Sequence, residues 1–405
     1  MTTGNEAIKT IFDADNHYWE TSDAFTRYRD PKFAERGVRL VDLDGNGKPR
    51  YVIGDRIHPI LPGPGDVHPR PRPGALYDYF AGKSDKARLG DELSCEDPKA
   101  HPEWFDRDAR LRCMDEQGVE ALWIFPSQAV CMEGPMQPDI EASVHILSAF
   151  NRWLEEDWGF SYRNRIFGVP FLTLSDVELA VEELEWCIEH GARVVSIRNG
   201  PAFTPDGTKS PADPMFDPFW ARVAEAKVVV APHAGFEDGY TKVNQAISEE
   251  WGRSVTSTGM GDAAASTIIS MLMKHRLVHD FAAVLVADKL FERNPGVRVA
   301  YIENGGTWVG DLLQGLQVLH GQNPGMFTKN PVDQFRDNCW VAPFVEDSVA
   351  DLAQHLPVER ILFGSDWPHA EGLRHPRDFF KNVEEFSIDD QRKIMVENAR
   401  QLTLA

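Results

Sequence analysis

Short apolar segments recur along this chain, and each is followed by a polar stretch with the spacing of an amphipathic helix. The segments are apolar at successive positions, which is typical of strands buried on both faces of a parallel sheet. Eight such units within 405 residues predict an α/β fold, a distorted (β/α)8 TIM barrel, ahead of a doubly wound sheet. The predicted strands are 10–14, 119–125, 166–172, 192–197, 228–231, 297–302, 339–341 and 361–363. The predicted helices include 176–190, 218–226, 268–294 and 345–355.

Two regions are longer than simple strand–helix connections. We expect one domain over the whole chain, with residues 22–110 inserted after strand 1 as a lid over the active site. Within it, 38–43 and 51–53 predict a hairpin that turns at DGNG, and 59–74 is rich in proline and glycine. The second long region is 235–267. Both regions leave the C-terminal end of a predicted strand, where barrel enzymes place their active sites.

The charge and the cysteines restrict the partners and the compartment. The formal charge is −21, from 63 acidic residues and 42 lysines and arginines, which argues against nucleic acid and against an anionic membrane surface. No apolar run reaches the roughly 18 residues of a membrane span, and the first residues have no apolar signal core. The five cysteines form no CxxC pair, and we predict that they are reduced thiols. We therefore expect a cytoplasmic protein that acts on a small molecule.

Side chains that bind metals or move protons follow four of the predicted strands. Asp15 and His17 follow strand 1, and residues two apart in a strand point to the same side. His233 follows strand 5, Glu303 follows strand 6 and Asp366 follows strand 8. Each has a structural alternative, such as a capping carboxylate or a hydrogen-bonded core histidine. In a closed barrel, however, all five would converge in one volume, and we predict that they are metal ligands.

Four further residues are candidates for proton transfer or substrate binding. His369, three residues after Asp366, and His279 are predicted to act with Glu303 and Asp366 in catalysis or as extra ligands. The alternatives are that His369 orients Asp366 and that His279 is a buried helix histidine. Arg198 and Arg72 are candidates for binding a substrate carboxylate. The alternatives are that Arg198 forms an ion pair with a nearby carboxylate and that Arg72 is an exposed surface residue.

Trp308 and Trp367 are predicted to line the substrate site. Both flank strand ends, in a chain with 11 tryptophans and 23 phenylalanines. Such walls suit a bulky, partly apolar or ring-bearing substrate, although aromatic residues are more often part of the core.

The chain is similar to the amidohydrolase superfamily, in particular to the branch that contains aminocarboxymuconate semialdehyde decarboxylase. The resemblance rests on four segments, 13–20 (DADNHYWE), 232–235 (PHAG), 291–306 (FERNPGVRVAYIENGG) and 363–372 (FGSDWPHAEG). It extends from strand 1 to strand 8. It implies a metal-bearing distorted barrel with ligands from strands 1, 5 and 8, and it implies a homodimer.

The sequence departs from the pattern of that family at three strand ends. Strand 1 usually carries His-x-His, and here Asp15 takes the first place. Strand 6 often carries a histidine that assists acid–base work in the decarboxylases, and here the residue is Glu303. Strand 4 carries a bridging lysine or glutamate in many dinuclear members, and here it ends near Arg198. These departures argue against a lysine-bridged zinc pair and against a decarboxylase.

The predicted ligands, two imidazoles and three carboxylates, form a harder and more anionic set than a histidine-rich zinc site. Three carboxylates exceed the charge of one divalent ion, and a Glu303 bridge between two ions would relieve this. We therefore predict one or two divalent ions, two ahead of one, with iron or manganese ahead of zinc.

We predict a metal-dependent hydrolase in which metal-activated water attacks a carbonyl carbon. The bond could be an amide, an ester, a thioester or a vinylogous carbon–carbon bond. The alternative is a metal-dependent non-oxidative decarboxylase of an aromatic or muconate-like acid. A binding protein without catalysis would be expected to have lost a ligand, and here all five positions hold competent groups.

Overall fold

The structure is a computed structural model, and it describes residues 4–80, 95–235, 249–252, 256–257, 265–266 and 275–404. Its centre is a ring of parallel strands. We number them 1 to 7 in chain order and count the two parts of 166–172 as strand 3. The strands are Ile11–Tyr18, Val119–Pro126, Ile166–Gly168 with Phe171–Leu172, Val194–Ile197, Val229–Val230, Arg298–Tyr301 and Cys339–Val341.

The segment 361–363 closes the ring as strand 8. Strands 1 to 3 pair in order, and strands 3 to 7 pair in order, all parallel. The Leu362 N–H donates to the Val341 carbonyl at 2.9 Å, and the Ala14 N–H donates to the Phe363 carbonyl at 2.9 Å. Strand 8 therefore bonds to strand 7 on one side and to strand 1 on the other. The predicted (β/α)8 barrel is confirmed.

Large apolar side chains fill the barrel interior. Phe12 stacks on Phe167 with ring centroids 6.1 Å apart and meets Trp123 edge-on at 6.4 Å. The C-terminal helix adds Ala399 and Leu402 to the same buried cluster. A second, larger apolar cluster lies between the strands and the surrounding helices. The barrel interior is thus a packed apolar core, and the polar side chains lie at the ends of the strands.

Helices surround the strands, and several begin at an aspartate cap. The carboxylates of Asp106, Asp139 and Asp176 each accept a hydrogen bond from the backbone N–H three residues on, which fixes where these helices start. The α-helices are Gly4–Ala7, Ala75–Phe80, Arg107–Gln117, Glu133–Met136, Ile140–Asp157, Val177–Glu189, Asp217–Ala226, Arg276–Ala287, Leu290–Arg293, Trp308–Gln322, Pro331–Asn338, Val349–Leu352, Ile388–Arg392 and Asn398–Leu404. No helix in the described ranges combines the length and the apolar content that a membrane span needs.

Two predicted helices differ from the structure. The segment predicted as 268–294 begins in residues outside the described ranges and then forms two helices, Arg276–Ala287 and Leu290–Arg293. They are separated at Lys289, whose φ of +62° interrupts the helix. The helix predicted over 345–355 is Val349–Leu352 in the structure. It starts later than predicted because the Ser348 side chain caps it.

The described part of the insertion 22–110 lies against loops that leave the C-terminal ends of the strands. The predicted hairpin is present, with Val38–Val41 paired antiparallel to Arg50–Ile53, and Arg56–Ile57 adds a third strand. The Gly74 N–H donates to the His369 carbonyl at 3.1 Å. Residues 81–94, and most of the second long region 235–267, lie outside the described residues. The lid stays a prediction.

The described residues also contain three short antiparallel pairs. They are Arg70–Pro71 with Cys95–Glu96, Ala202–Thr204 with Gly207–Lys209, and Thr256–Ser257 with Ala265–Ser266.

Candidate metal centre

Strand 1 carries two of the predicted ligands on its own buried length. The strand is longer than predicted and ends at Tyr18, so Asp15 and His17 lie within it. Both side chains are buried, and the His17 Nε2 atom lies 3.4 Å from the Asp15 Oδ1 atom. The strand holds these two donors in a fixed relation to each other.

His233 enters from the opposite side, between strands 4 and 6. Its backbone bridges Arg198 on one side and Ile302 on the other. Its Nδ1 atom lies 2.8 Å from the Ala234 carbonyl, which can only accept, so Nδ1 carries the proton and the Nε2 lone pair is available. The Nε2 atom lies 3.4 Å from Asp15 Oδ1. Donor atoms of Asp15, His17 and His233 lie within 4.8 Å of one another.

Asp366 and His369 approach from the loop after strand 8. The Asp366 Oδ1 atom is 3.4 Å from His17 Nε2 and 2.7 Å from His369 Nδ1. The Ser127 hydroxyl donates to the Tyr18 carbonyl at 2.6 Å and therefore accepts from His369 Nε2 at 2.8 Å. This bond fixes the imidazole so that its Nδ1 atom faces Asp366.

Glu303 follows strand 6 and lies between the Asp15–His17–His233 donors and the Asp366–His369 pair. Its Oε2 atom is 3.4 Å from His233 Nε2. Donor atoms of Glu303, Asp366, His369 and Glu371 also lie within 4.8 Å of one another. The structure thus brings together all five predicted ligands, with His369 beside them.

The chemistry of this cluster fits a divalent cation. The atoms His17 Nε2, Asp366 Oδ1 and His369 Nδ1 are buried and make no hydrogen bond. Buried polar atoms without partners are costly, and lone pairs of imidazole and carboxylate are ligands for Mn, Fe or Zn. The residues present therefore fit the metal that the sequence predicts.

Burial and neighbouring charges shift the pKa values of Asp15, His17 and His233. Burial raises the pKa of Asp15, but the His17 and His233 imidazoles outweigh it, so its pKa is lowered. Burial lowers the pKa of His17, and the neighbouring His369 adds to this. Burial also lowers the pKa of His233, but the charges of Glu303 and Asp15 raise it by a larger amount. The pKa of His233 is therefore raised overall. An ionised Asp15 beside a neutral His17 is a competent pair of ligands.

Glu303 and Asp366 are two carboxyl groups whose pKa values are raised. Burial raises the pKa of Glu303 well above its usual value, and the Asp366 carboxylate adds to this effect. Burial also raises the pKa of Asp366, followed by the charges of Glu371 and Asp15. Burial and the charge of the neighbouring carboxyl group thus both disfavour the ionised form of each acid.

Sequence reasoning missed Asp13, which joins strand 1 to the loop after strand 8. Its carboxylate accepts from the Ser365 N–H at 2.9 Å, from the Ser365 hydroxyl at 2.5 Å and from the Asn16 side chain at 2.9 Å. Burial raises the pKa of Asp13 to about 7. Its position two residues before Asp15 on a buried strand was the available signal. Asp13 fixes the loop that presents Asp366.

Three other predicted residues lie at different distances from the cluster. Arg198 is beside it, because its backbone bridges His233, and its guanidinium lies 4.1 Å from the Phe203 ring centroid. Arg72 pairs with Asp78 at 3.4 Å in the inserted segment. His279 is in neither group of donors, and its imidazole faces two helix carboxylates at 3.3 and 3.4 Å.

The two predicted tryptophans are buried in different surroundings. Trp308 packs edge-on against Tyr301 and Phe335 in the apolar layer outside the barrel. Trp367 precedes Pro368, and the Arg110 guanidinium lies 4.6 Å from its ring centroid. Of the two, the structure places only Trp367 next to a predicted ligand in the loop after strand 8.

A family model described as amidohydrolase matches residues 12–402, which includes every residue of the cluster. The chain belongs to the amidohydrolase family. The resemblance seen in the sequence is thereby confirmed. A solved amidohydrolase from Mycobacterium avium subsp. paratuberculosis K-10 is 37% identical, with a TM-score of 0.89 over 98% of both chains.

Named relatives of this amidohydrolase are decarboxylases. A gamma-resorcylate decarboxylase from Rhodococcus jostii is 26% identical over 309 residues, which cover 73% of this chain and 87% of the relative. A solved dihydroxybenzoic acid decarboxylase from Polaromonas, with bound manganese and the inhibitor 2-nitroresorcinol, is 20% identical. Its TM-score is 0.55 over 81% of this chain and 93% of that chain.

The predicted hydrolase activity is wrong. The named relatives are decarboxylases, which are lyases, and not hydrolases. The prediction placed Glu303 as a bridge between two ions, at the strand end where decarboxylases of the family often carry an acid–base histidine. In the structure, burial and the nearby Asp366 raise the pKa of Glu303 well above its usual value. A raised pKa is compatible with acid–base work, so the replacement of the histidine by Glu303 is no ground for excluding a decarboxylase.

Proposed function

We propose that this amidohydrolase is a metal-dependent non-oxidative decarboxylase of a hydroxylated aromatic acid. The observation that carries the proposal is the position of two carboxyl groups with raised pKa values, because Asp366 lies 3.4 Å from His17 and Glu303 lies 3.4 Å from His233. Its support from known proteins is the similarity to gamma-resorcylate decarboxylases. The reaction replaces the carboxylate on a ring carbon by a proton and releases carbon dioxide.

Asp15, His17 and His233 would hold the ion, with Asp366 next to it. When bound, the ion would supply positive charge that attracts the anionic substrate and stabilises negative charge on it. We propose manganese, the metal in the solved dihydroxybenzoic acid decarboxylase. Iron and zinc, which the sequence also suggested, have no such support.

The protein residues perform the proton transfer. The ring carbon that loses the carboxylate needs one proton, and the Glu303–Asp366 pair is placed to give it. The unprotonated His369 Nδ1 atom lies 2.7 Å from Asp366 Oδ1, so it can take up a proton from solvent and pass it to the pair after each turnover. Ser127 holds the imidazole in this orientation through His369 Nε2.

We propose that Arg198 orients the substrate at the C-terminal end of the barrel. Its backbone bridges His233, next to the donor cluster, and its guanidinium lies 4.1 Å from the Phe203 ring centroid. A guanidinium recognises a carboxylate with two parallel hydrogen bonds. The small-molecule acid is thus the partner that the site needs. The homodimer and the cytoplasmic location remain predictions.

The experiment is a decarboxylation assay on chelator-treated protein with manganese restored. Candidate substrates are 2,6-dihydroxybenzoate and 5-carboxyvanillate, and carbon dioxide and the arene product are measured. We expect manganese-dependent turnover of at least one acid and its loss in His233→Ala. Manganese-loaded, folded protein that releases no carbon dioxide from any hydroxylated aromatic acid would contradict the proposal.

A further inference from the structure

The two histidines of the candidate metal centre are held in different ways. The His233 Nδ1 atom lies 2.8 Å from the Ala234 carbonyl, and this bond fixes the orientation of its ring. Among the residues that the structure describes, neither ring nitrogen of the buried His17 has a hydrogen-bond partner. Histidines that bind metals usually donate their second ring N–H to a protein acceptor, which orients them. The orientation of His17 therefore depends on its ring neighbours and on how its backbone is held.

The backbone of His17 is bonded on both sides. Its N–H donates to the Trp367 carbonyl at 2.7 Å, and its carbonyl accepts from Arg110 Nη2 at 2.8 Å. The same guanidinium lies 4.6 Å from the centroid of the Trp367 ring. Arg110 thus joins strand 1, which carries His17, to the loop after strand 8, which carries Asp366.

Arg110 is a buried cation that reaches a carboxyl group only through an amide. It lies on the helix Arg107–Gln117 and is fully buried. Its Nε atom donates to the Glu103 carbonyl at 2.7 Å, and its Nη1 atom donates to the Asn16 side-chain oxygen. The Asn16 Nδ2 atom in turn donates to Asp13 at 2.9 Å. The guanidinium and the Asp13 carboxyl group are therefore joined across the Asn16 amide.

Packing alone does not account for an arginine at this position. A buried charge is costly unless it is well hydrogen-bonded, and an apolar side chain of similar volume would avoid that cost. Such a side chain would leave three acceptors without a donor, the carbonyl groups of Glu103 and His17 and the side chain of Asn16. The planar fork of a guanidinium bonds all three at once.

We propose that Arg110 is a positioning residue for His17. It holds the His17 peptide rather than the imidazole, and it fixes strand 1 relative to the loop that carries Asp366. The proposal rests on the metal site of the proposed function and is independent of the reaction that the site performs.

The test is manganese binding by Arg110→Lys. Lysine keeps the positive charge, but its single ammonium cannot reproduce the planar fork. Chelator-treated protein is titrated with manganese, and the free ion is followed by electron paramagnetic resonance. We expect the dissociation constant to rise about 10–100-fold, which is typical for the loss of a group that orients a ligand. Arg112→Lys, on an exposed residue of the same helix, is the matched control and should bind manganese as the wild type does.

Urea unfolding of the chelator-treated variants separates positioning from a structural role. If Arg110→Lys loses stability but binds manganese with wild-type affinity, Arg110 only supports the fold and the proposal is wrong. Should Arg110→Lys fail to fold, Asn16→Ser replaces it, because serine is too short to join Arg110 to Asp13. We expect about tenfold weaker binding in Asn16→Ser, and unchanged affinity there would also overturn the proposal.

The readout also distinguishes this proposal from the proposed reaction. Manganese binding is measured without turnover, so weaker binding in Arg110→Lys supports the positioning role even in a protein that releases no carbon dioxide. A folded wild type that binds no manganese overturns the metal site and the role of Arg110 together.

Discussion

Glu303 and Asp366 occupy backbone conformations that side chains rarely adopt. Their φ angles are +53° and +56°, and a residue other than glycine in this region costs about 1–3 kcal/mol. The neighbouring backbone is held in place, because the Asp366 N–H donates to the Asp15 carbonyl at 2.8 Å and Asn304 donates to the Ile302 carbonyl at 2.7 Å. The strained geometry aims both carboxyl groups at the same point above the barrel.

Replacing Glu303 by glutamine tests its role as a proton carrier. Glu303→Gln keeps the shape of the side chain but cannot lose or gain the proton. We expect the turnover number to fall by about 10²–10⁴-fold, while manganese stays bound to Asp15, His17 and His233. Steady-state kinetics and elemental analysis measure the two effects. Turnover within threefold of the wild type would remove Glu303 from the chemistry.

Glu20 is a second buried carboxyl group with a measurable signature. Its Oε1 atom accepts from the Gln128 and Ala129 N–H groups at 2.7 and 2.9 Å, and burial raises its pKa to about 7. The folded protein therefore binds more protons than the unfolded chain between about pH 4.5 and 7. Stability contributed by this group is complete below the unfolded pKa and is lost as the pH rises to about 7.

Glu20→Gln should flatten this dependence. A shift from 4.5 to about 7 corresponds to roughly 3 kcal/mol across the window. Urea unfolding of chelator-treated protein at pH 5 and pH 8 measures it, with the exposed Glu384→Gln as control. An equal loss of stability between these pH values in wild type and Glu20→Gln would show that Glu20 is not the group responsible.

At the scale of elements, the strands were predictable and the loops that aim the ligands were not. Strands such as Val119–Pro126 are buried on both faces, and this leaves a continuous apolar run in the sequence. The proximity of Asp15, His233 and Asp366 followed from the barrel alone, because the C-terminal ends of its strands meet. The pairing of His369 with Ser127 depends on two loops 242 residues apart in sequence, and no local pattern encodes it.

Gly364 provides the close approach between strand 1 and the loop after strand 8. A Cβ atom on Gly364 would lie 2.5 Å from the Cβ atom of Asp15. Gly364→Ala should therefore displace Asp15 and weaken manganese binding about tenfold or more. Gly315→Ala, in the helix Trp308–Gln322 with no atom near its Cβ, is the matched control. It should stabilise the fold by about 0.5–1 kcal/mol. Equal manganese affinity in both variants would contradict the close-packing argument.

For the whole molecule, the fold class and the position of the site were within reach of the sequence, but the reaction was not. Eight alternating units predicted the barrel, and the strand ends predicted where Asp15, His17 and His233 would meet. The hydrolase prediction rested on Glu303 as a bridge between two ions. The burial and the neighbouring carboxyl group that raise the pKa of Glu303 are set by the closed barrel and are not visible in the local sequence.

Metal binding should stabilise the whole barrel, because its ligands come from distant parts of the chain. Manganese at about 100 times its dissociation constant should add about 2.7 kcal/mol to the free energy of unfolding. This gain should disappear in His233→Ala and persist in His320→Ala, whose histidine lies on the helix Trp308–Gln322 away from the cluster. Thermal melting with and without manganese measures both. A manganese effect that survives His233→Ala would place the ion elsewhere.

The most direct test of the central claim is the fate of the ring carbon in deuterium oxide. Manganese-loaded protein is incubated with 2,6-dihydroxybenzoate in deuterated buffer, and the arene is analysed by nuclear magnetic resonance and mass spectrometry. The account predicts one equivalent of carbon dioxide per arene, with one deuterium at the carbon that carried the carboxylate. It predicts neither product in Glu303→Gln at the same enzyme concentration and time. Recovery of the unchanged acid from manganese-loaded wild type would contradict it.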